Sequence, residues 1–229
     1  MQKYIYLLIC TCMGIFFTTV FSCRTAEQLR DLDSCRKAYR SRKLEAIERL
    51  RQAAGSENRD LANAAVYYLG RYLDILQTMR AEEDISAAVF KKKQNEIYNR
   101  LLKLNDIHTN FNLKNLLLLG ITKVPKQETV DFLIDVLEGR EETQLELALY
   151  ALRPYITNAD YKTEKAVKPT GRILSWASAP VTIAAVENLL LFNQEEAALA
   201  VSNYLSVNPD DYLVHSLAGS KIQEKNNAE

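Results

Sequence analysis

Apolar side chains recur at helical spacing along this chain, in paired segments that short polar turns separate. In "ETVDFLIDVLEG", residues 128–139, Val130, Leu133, Ile134 and Leu137 occupy positions i, i+3, i+4 and i+7 and so share one face of a helix. The following segment, "ETQLELALYALRPY", repeats such a face. Two helices joined by about four residues must lie antiparallel, so this stretch predicts a helical hairpin.

Local signals predict where the helices of this hairpin begin and end. We expect Gly139 to end the first helix in the left-handed conformation, which glycine adopts without steric cost. Thr143 and Glu146 have the spacing of a capping box, which predicts the start of the second helix. Pro154 should end or kink that helix, because proline lacks the N–H that a helix interior requires.

Similar hairpins are predicted with turns at residues 55–58, 106–110 and 193–194. Their second helices align on a shared leucine, at Leu69, Leu119, Leu152 and Leu205. The spacing of these leucines is irregular, which indicates a degenerate repeat. We attribute the excess length to insertions such as residues 79–84 and 157–170.

Residues 112–155 resemble HEAT repeats, with an aliphatic helix ending in Leu-Gly, a short loop, a second aliphatic helix and an acidic turn. Residues 38–50 and 195–219 resemble TPR units, although the 34-residue TPR period is missing. Both families are α-solenoids, in which each hairpin buries its apolar face on the next. The resemblance implies an all-α, right-handed α-solenoid of degenerate helical hairpins over residues 36–223. An irregular helical bundle is the alternative.

The amino terminus has the features of an export signal. Lys3 precedes an uncharged stretch, residues 4–23, that ends in "VFSC". This tetrapeptide resembles the lipobox of bacterial lipoproteins, with Val20 and Ser22 at the aliphatic and small positions before Cys23. The resemblance implies a signal peptide over 1–22, acylation of Cys23 and a lipid-anchored segment over 23–35. Residues 224–229 are predicted to be a disordered tail.

An uncleaved membrane anchor is the alternative for the amino terminus, because about 20 uncharged residues suffice to span a bilayer as a helix. Cations crowd the downstream side of the stretch, and the positive-inside rule would hold that side in the cytoplasm. The protein would then be a cytoplasmic-facing adaptor. The lipoprotein interpretation instead predicts the cell envelope, with anchoring to the outer membrane or to the periplasmic face of the inner membrane.

Motifs for catalysis, metal binding or cofactor binding are missing from the sequence. His108 and His215 are the only histidines, and neither has a partner at metal-ligand spacing. A Gly-rich phosphate loop, a HExxH motif and a nucleophile elbow are all missing. The 29 basic and 29 acidic residues balance, so the electrostatic signature of a nucleic-acid binder is missing as well. We therefore predict no catalytic residue, no metal, no cofactor, no nucleic-acid partner and no small-molecule substrate.

Two groups of residues are candidates for contacts. The segment "RKAYRSRK" carries cations that could reach anionic headgroups just after the proposed anchor, with a solvated helix face as the alternative. These cations are Arg36, Lys37, Arg40, Arg42 and Lys43. Tyrosines on or near the second helices could bind a partner, because tyrosine offers a large and rigid contact area; core packing is the alternative. The chosen tyrosines are Tyr67, Tyr68, Tyr72, Tyr150 and Tyr155.

The sequence as a whole predicts a non-catalytic scaffold that binds a protein partner in the bacterial cell envelope. The partner prediction is an analogy at the level of the fold, and a fold does not fix a function. An enzyme or a small-ligand carrier with a site between hairpins is the second hypothesis. Such a protein would show a pocket with convergent polar groups.

Overall fold

A computed structural model describes residues 26–108 and 110–226, and this part of the chain contains eleven α-helices and no strand. The predicted signal peptide and Cys23 lie outside it. The helices are α1 (Ala26–Arg40), α2 (Glu45–Ala53), α3 (Arg59–Ala81), α4 (Ala87–Ile107), α5 (Phe111–Ile121), α6 (Gln127–Leu137), α7 (Glu142–Ile156), α8 (Val167–Ile173), α9 (Ala179–Leu191), α10 (Glu195–Val207) and α11 (Tyr212–Asn226). A short 3₁₀ turn, Glu164–Ala166, leads into α8.

The helices form two layers. Helices α1, α3, α5, α7, α9 and α11 pack side by side in sequence, and we call them the odd layer. Helices α2, α4, α6, α8 and α10 form the even layer, and each packs on the odd-layer helix that follows it. Five hairpins therefore stack in a row, with α1 covering the first of them. The predicted all-α solenoid of helical hairpins is confirmed.

Two of the predicted turns lie inside hairpins, as expected. Residues 55–58 separate α2 from α3, and residues 106–110 include the connection between α4 and α5. In both turns an asparagine caps the second helix, because the side-chain oxygens of Asn58 and Asn110 accept hydrogen bonds from backbone N–H groups of the next turn. These caps satisfy donors that a helix start leaves without a partner.

The local predictions for the 128–155 hairpin were wrong in detail. Gly139 does not have a positive φ. Helix α7 begins at Glu142, so Thr143 lies inside the helix, and the N-cap residue Glu141 makes no side-chain capping bond. Helix α7 also continues past Pro154 to its last residue, Ile156, so this proline does not end the helix, and a kink at Pro154 stays a prediction. Tertiary packing of α7 overrides these local preferences, since the helix lies between α5, α6 and α9.

The alignment of the second helices on a shared leucine was also wrong. Leu69 and Leu152 are fully buried, whereas Leu119 is 47% exposed. Leu205 lies on α10, in the even layer. The reason is α8, which lies in the region interpreted as the insertion 157–170 and just after it. Because α8 is the first helix of the fourth hairpin, α9 is its second helix, and the predicted turn at 193–194 connects two hairpins.

Helix α1 crosses the predicted boundary between the anchored segment and the solenoid. It begins at Ala26 and packs on α3, with Cys35 and Ala38 buried in the core. At the other end, α11 continues to Asn226, inside the predicted tail. None of the helices in residues 26–108 and 110–226 combines the length and the apolar character needed to cross a bilayer.

Candidate interaction surface

The predicted tyrosines divide between the core and the surface. Tyr67 and Tyr150 are each 47% exposed, and Tyr68 is half-buried. Tyr72 and Tyr155 are buried, so the prediction that they contact a partner was wrong. Burial raises the pKa of Tyr72 and of Tyr155 to about 12. Both side chains therefore stay neutral in the core over the physiological range.

The buried tyrosines are held by hydrogen bonds to backbone carbonyls. The Tyr72 hydroxyl donates to the carbonyl of Lys43 at 2.6 Å, which ties α3 to the turn between α1 and α2. The Tyr155 hydroxyl lies 3.5 Å from the carbonyl of Thr122, just after α5. A buried hydroxyl without a partner would be costly, so these bonds account for tyrosine rather than phenylalanine at both positions.

The exposed tyrosine of α3 belongs to an aromatic group at the amino-terminal end of the odd layer. Tyr39 of α1 stacks on Tyr68, with ring centroids 5.1 Å apart, and Tyr67 meets Tyr68 edge-on at 5.3 Å. Offset stacks and edge contacts of this kind stabilise aromatic pairs. The sequence prediction missed Tyr39, because it considered only the second helices of the hairpins.

The charged residues of the odd layer are paired across neighbouring helices. Lys123, after α5, donates to Asp74 of α3 at 2.6 Å. Arg153 of α7 pairs with Glu187 of α9 and lies over the Tyr150 ring, 4.4 Å from its centroid. The Arg153–Glu187 pair neutralises charge next to the exposed ring of Tyr150.

A buried asparagine connects the same two helices, α7 and α9. Asn188 is fully buried, and its amide donates to the carbonyl of Leu149 at 2.8 Å. Its side-chain oxygen accepts a bond from Arg153 Nε at 3.2 Å, so both of its polar ends are satisfied. The Arg153 side chain is thereby fixed in position beside Tyr150.

The odd layer presents exposed apolar side chains on three helices that are neighbours in this layer. Tyr67 of α3, Leu119 of α5 and Tyr150 of α7 are each about half exposed. We call these three residues the odd-layer face. Burial of such side chains against a partner is favourable, and tyrosines are frequent among the residues that dominate binding energies.

A groove lies in the even layer, between α8 and α10. It has a volume of about 860 Å³, within the range of small-molecule pockets. Trp176, the single tryptophan of the chain, lines it and is 38% exposed. Arg172, also in the lining, is held by Glu138 through two contacts of 2.6 Å. The sequence prediction missed this groove, as it missed the seven-residue helix α8 that lines it.

The five cations predicted to contact a membrane are all exposed. They lie on the second half of α1 and in the turn that follows. Lys37 pairs with Asp33 of the same helix at 2.7 Å. Within the described residues, no carboxylate pairs with the other four: Arg36, Arg40, Arg42 and Lys43. The structure therefore brings these cations together on one end of the solenoid.

Groups that could carry metal chemistry are not assembled in the described ranges. No three histidine, cysteine or acidic side chains there lie close enough to hold a metal ion. Cys35 is a buried thiol, and burial raises its pKa. A raised pKa keeps the thiol in its less reactive, protonated form.

The comparisons with known proteins give a fold and no family. No protein family profile matches the sequence, and no curated protein matches it. Among solved structures, the chain is similar to a designed armadillo repeat protein in complex with the peptide (KR)4. The TM-score is 0.55 at 14% identity, and the match covers 88% of this chain and 95% of the designed one. The protein is thus an all-helical repeat solenoid with a fold similar to that of an armadillo repeat protein.

Proposed function

We propose that this protein is an exported, lipid-anchored scaffold of the bacterial cell envelope that binds a protein partner on the odd-layer face. The observation that carries the binding proposal is the row of half-exposed apolar side chains, Tyr67, Leu119 and Tyr150, on three successive stacked helices. Solenoids use such extended surfaces for recognition, because each repeat adds a contact at a regular spacing.

The arrangement of charges around this face also supports a polypeptide ligand. The Arg153–Glu187 ion pair holds the long side chain of Arg153 in place beside the Tyr150 ring. Side chains ordered before binding lose less conformational entropy when a partner arrives. The designed armadillo repeat protein with a similar fold is in complex with a peptide, (KR)4, which adds a precedent for peptide binding on this architecture.

Site-specific crosslinking in intact cells tests the binding proposal. We expect a photoreactive benzoylphenylalanine at Tyr67 or at Tyr150 to give covalent adducts of one and the same partner mass. The matched control is Val89 on α4, which is exposed in the even layer. Adducts that form equally from Val89, or from none of the three positions, would contradict the proposal.

The captured partner then allows a quantitative test. Removal of both rings in the variant Tyr67→Ala/Tyr150→Ala should weaken its binding about tenfold or more, as expected when residues that dominate an interface are truncated. Val89→Ala should bind as tightly as the native protein. Isothermal titration calorimetry would measure both affinities.

The anchoring proposal rests on the lipobox-like "VFSC" and on the position of Cys23 three residues before the start of α1. Mass spectrometry of the native amino terminus should find Cys23 as the first residue, carrying a diacylglyceryl group and an acyl chain. Substitution Cys23→Ala should abolish this lipid. An intact Met1 would instead support the cytoplasmic-facing, uncleaved anchor, and an unmodified Cys23 would rule out the lipoprotein.

A small-ligand carrier is the second candidate function, because the groove between α8 and α10 has the volume of a ligand pocket. Trp176 lines this groove and is the only tryptophan, so its fluorescence reports on the groove alone. Saturable quenching by a small-molecule extract of the cell envelope, with no crosslinked protein at Tyr67 or Tyr150, would favour the carrier over the scaffold.

A further inference from the structure

We propose that a cationic groove between α1 and α2 binds the phosphate headgroups of an anionic bilayer and so holds the solenoid against the membrane. This inference rests on the proposed anchoring of the chain, which brings α1 to a membrane surface. The groove has a volume of about 610 Å³. The polar residues that line it are Ser34, Lys37, Ser41, Lys43, Glu45 and Arg49. We call it the α1–α2 groove.

The charge of the α1–α2 groove is positive after the local ion pairs are counted. Lys37 pairs with Asp33 at 2.7 Å, and Glu45 brings one carboxylate into the lining. Lys43 and Arg49 are exposed, and no carboxylate of the described residues pairs with them. Arg49 comes from α2 and was not among the predicted membrane contacts, since only the fold places it beside Lys43.

Further unpaired cations extend this surface beyond the groove. Arg36 and Arg40 are exposed on α1, on the side away from the buried Cys35 and Ala38. Arg42 is exposed in the turn. A groove lined by cations, with further cations on the same helix and turn, fits a surface of many phosphates better than it fits one small anion.

The start of α2 lies beside the groove, but the N–H groups of Ala46 and Ile47 already donate to the carbonyls of Lys43 and Leu44. Its N-cap residue, Leu44, has helical dihedral angles and makes no side-chain capping bond. The helix start therefore contributes its partial positive charge rather than free donors. Glu45 and Glu48 in the first turn offset part of this charge, which leaves the lysine and arginine side chains as the main attraction.

The backbone of Arg42 adopts a left-handed conformation in the turn between α1 and α2. Its φ is +52°, in the left-handed region that favours glycine. An arginine there costs conformational energy that glycine would avoid. In this turn, the strained position carries an exposed cation next to the groove.

The groove also lies within reach of the proposed anchor. Lys37 is eleven residues after Ala26, which corresponds to about 16 Å along a helix with a rise of 1.5 Å per residue. If α1 lies along the bilayer, its exposed cations and the groove face the headgroups while Cys35 and Ala38 face the core. A lipid chain and a basic surface together anchor a protein more firmly than one chain does.

Lysine accessibility in the full-length protein tests the proposal without any substitution. The chain is reconstituted, with the solenoid outside, in phosphatidylcholine vesicles with or without about one-third phosphatidylglycerol. A membrane-impermeant amine reagent is added, and modification is quantified by mass spectrometry. We expect phosphatidylglycerol to reduce the modification of Lys37 and Lys43 several-fold. Lys91 and Lys92, exposed on α4, serve as internal controls and should react equally in both vesicles.

Salt and free phosphate distinguish the possible causes of protection. Protection by a bilayer should be lost when the salt is raised from about 0.1 M to about 1 M, because surface charges are then screened. Equal reaction of Lys37 and Lys43 in the two kinds of vesicle would overturn the proposal. Protection by inorganic phosphate with phosphatidylcholine vesicles would also overturn it, in favour of a soluble-phosphate site.

A pair of matched variants locates the contact. Lys43→Gln/Arg49→Gln removes two charges from the groove, and Lys91→Gln/Lys92→Gln removes two from α4. We expect only the groove variant to abolish the protection of Lys37, with both variants keeping the native Tm. Equal protection of Lys37 in the two variants would overturn the assignment to the groove. An unmodified Cys23 would disprove the anchor, whereas unprotected Lys37 and Lys43 in a chain shown to carry the lipid would overturn the groove alone, so the two failures are distinguishable.

Discussion

The substitution Leu149→Ala is expected to lower the free energy of unfolding by about 2–5 kcal/mol. Leu149 lies on α7 and has no exposed surface, in the cluster that joins α7 to α9. Truncation removes buried apolar surface and leaves a cavity, because helices α6 and α9 on either side of α7 cannot both move in to fill it. Urea unfolding followed by circular dichroism measures the change.

Leu199→Ala on α10 is the matched control, because this leucine is 56% exposed. The same three heavy atoms are lost there without a cavity, so the change should stay within about 0.5 kcal/mol. Equal destabilisation by the two substitutions would mean that α7 is not packed as described. The slope of the unfolding curve should also be compared, because solenoids can lose cooperativity between repeats.

The substitution Gly70→Val is expected to lower the free energy of unfolding by about 1–3 kcal/mol. A Cβ atom on Gly70 would lie 3.2 Å from Cα of Gly120, where α3 and α5 pack together. Gly120 is equally confined. A Cβ atom on it would lie 2.8 Å from Cδ1 of Leu101, a side chain of α4 that is itself fully buried. The larger side chain must therefore push two packed helices apart.

Gly219→Ala on α11 provides the control for the intrinsic cost of glycine in a helix. Nothing lies within 4 Å of a Cβ atom at this position. Alanine there should stabilise the protein by up to about 1 kcal/mol, from its higher helix propensity. The opposite signs of the two changes separate packing from propensity. A neutral or stabilising Gly70→Val would show that α3 and α5 do not approach this closely.

The positions of several helices could be predicted because their signals are local. The apolar face of α6 and the turns before α3 and α5 follow from side chains within a few residues of one another. Asn58 and Asn110 cap their helices through bonds to the next turn, so no distant partner is required. The class of the fold follows from the same information.

The pairing of helices into hairpins could not be predicted towards the carboxyl end. Helix α8 has seven residues and follows a 3₁₀ turn, so its apolar pattern is too short to be recognised. When α8 is not recognised, the pattern predicts that α9 and α10 form one hairpin and that Leu205 lies on its second helix. The groove beside Trp176 was missed for the same reason.

Which tyrosines are buried and which are exposed could not be predicted either. Tyr67 and Tyr72 lie on one helix, α3, and both were predicted to contact a partner. Tyr67 is on the surface, while Tyr72 is buried with its hydroxyl on the carbonyl of Lys43, 29 residues away in sequence. Helical spacing defines an apolar stripe, but whether a residue at its border is covered depends on where the neighbouring helix crosses.

The sequence by itself determined that residues 26–108 and 110–226 fold into helices, several of which carry an apolar stripe. It also contains the lipobox-like segment on which the anchoring proposal depends. The tertiary structure decided which helices share a layer, which tyrosines stay exposed and that Arg49 joins the cations of α1. These outcomes depend on contacts between residues far apart in the chain, such as the close approach of Gly70 and Gly120, and local periodicity carries no information about them.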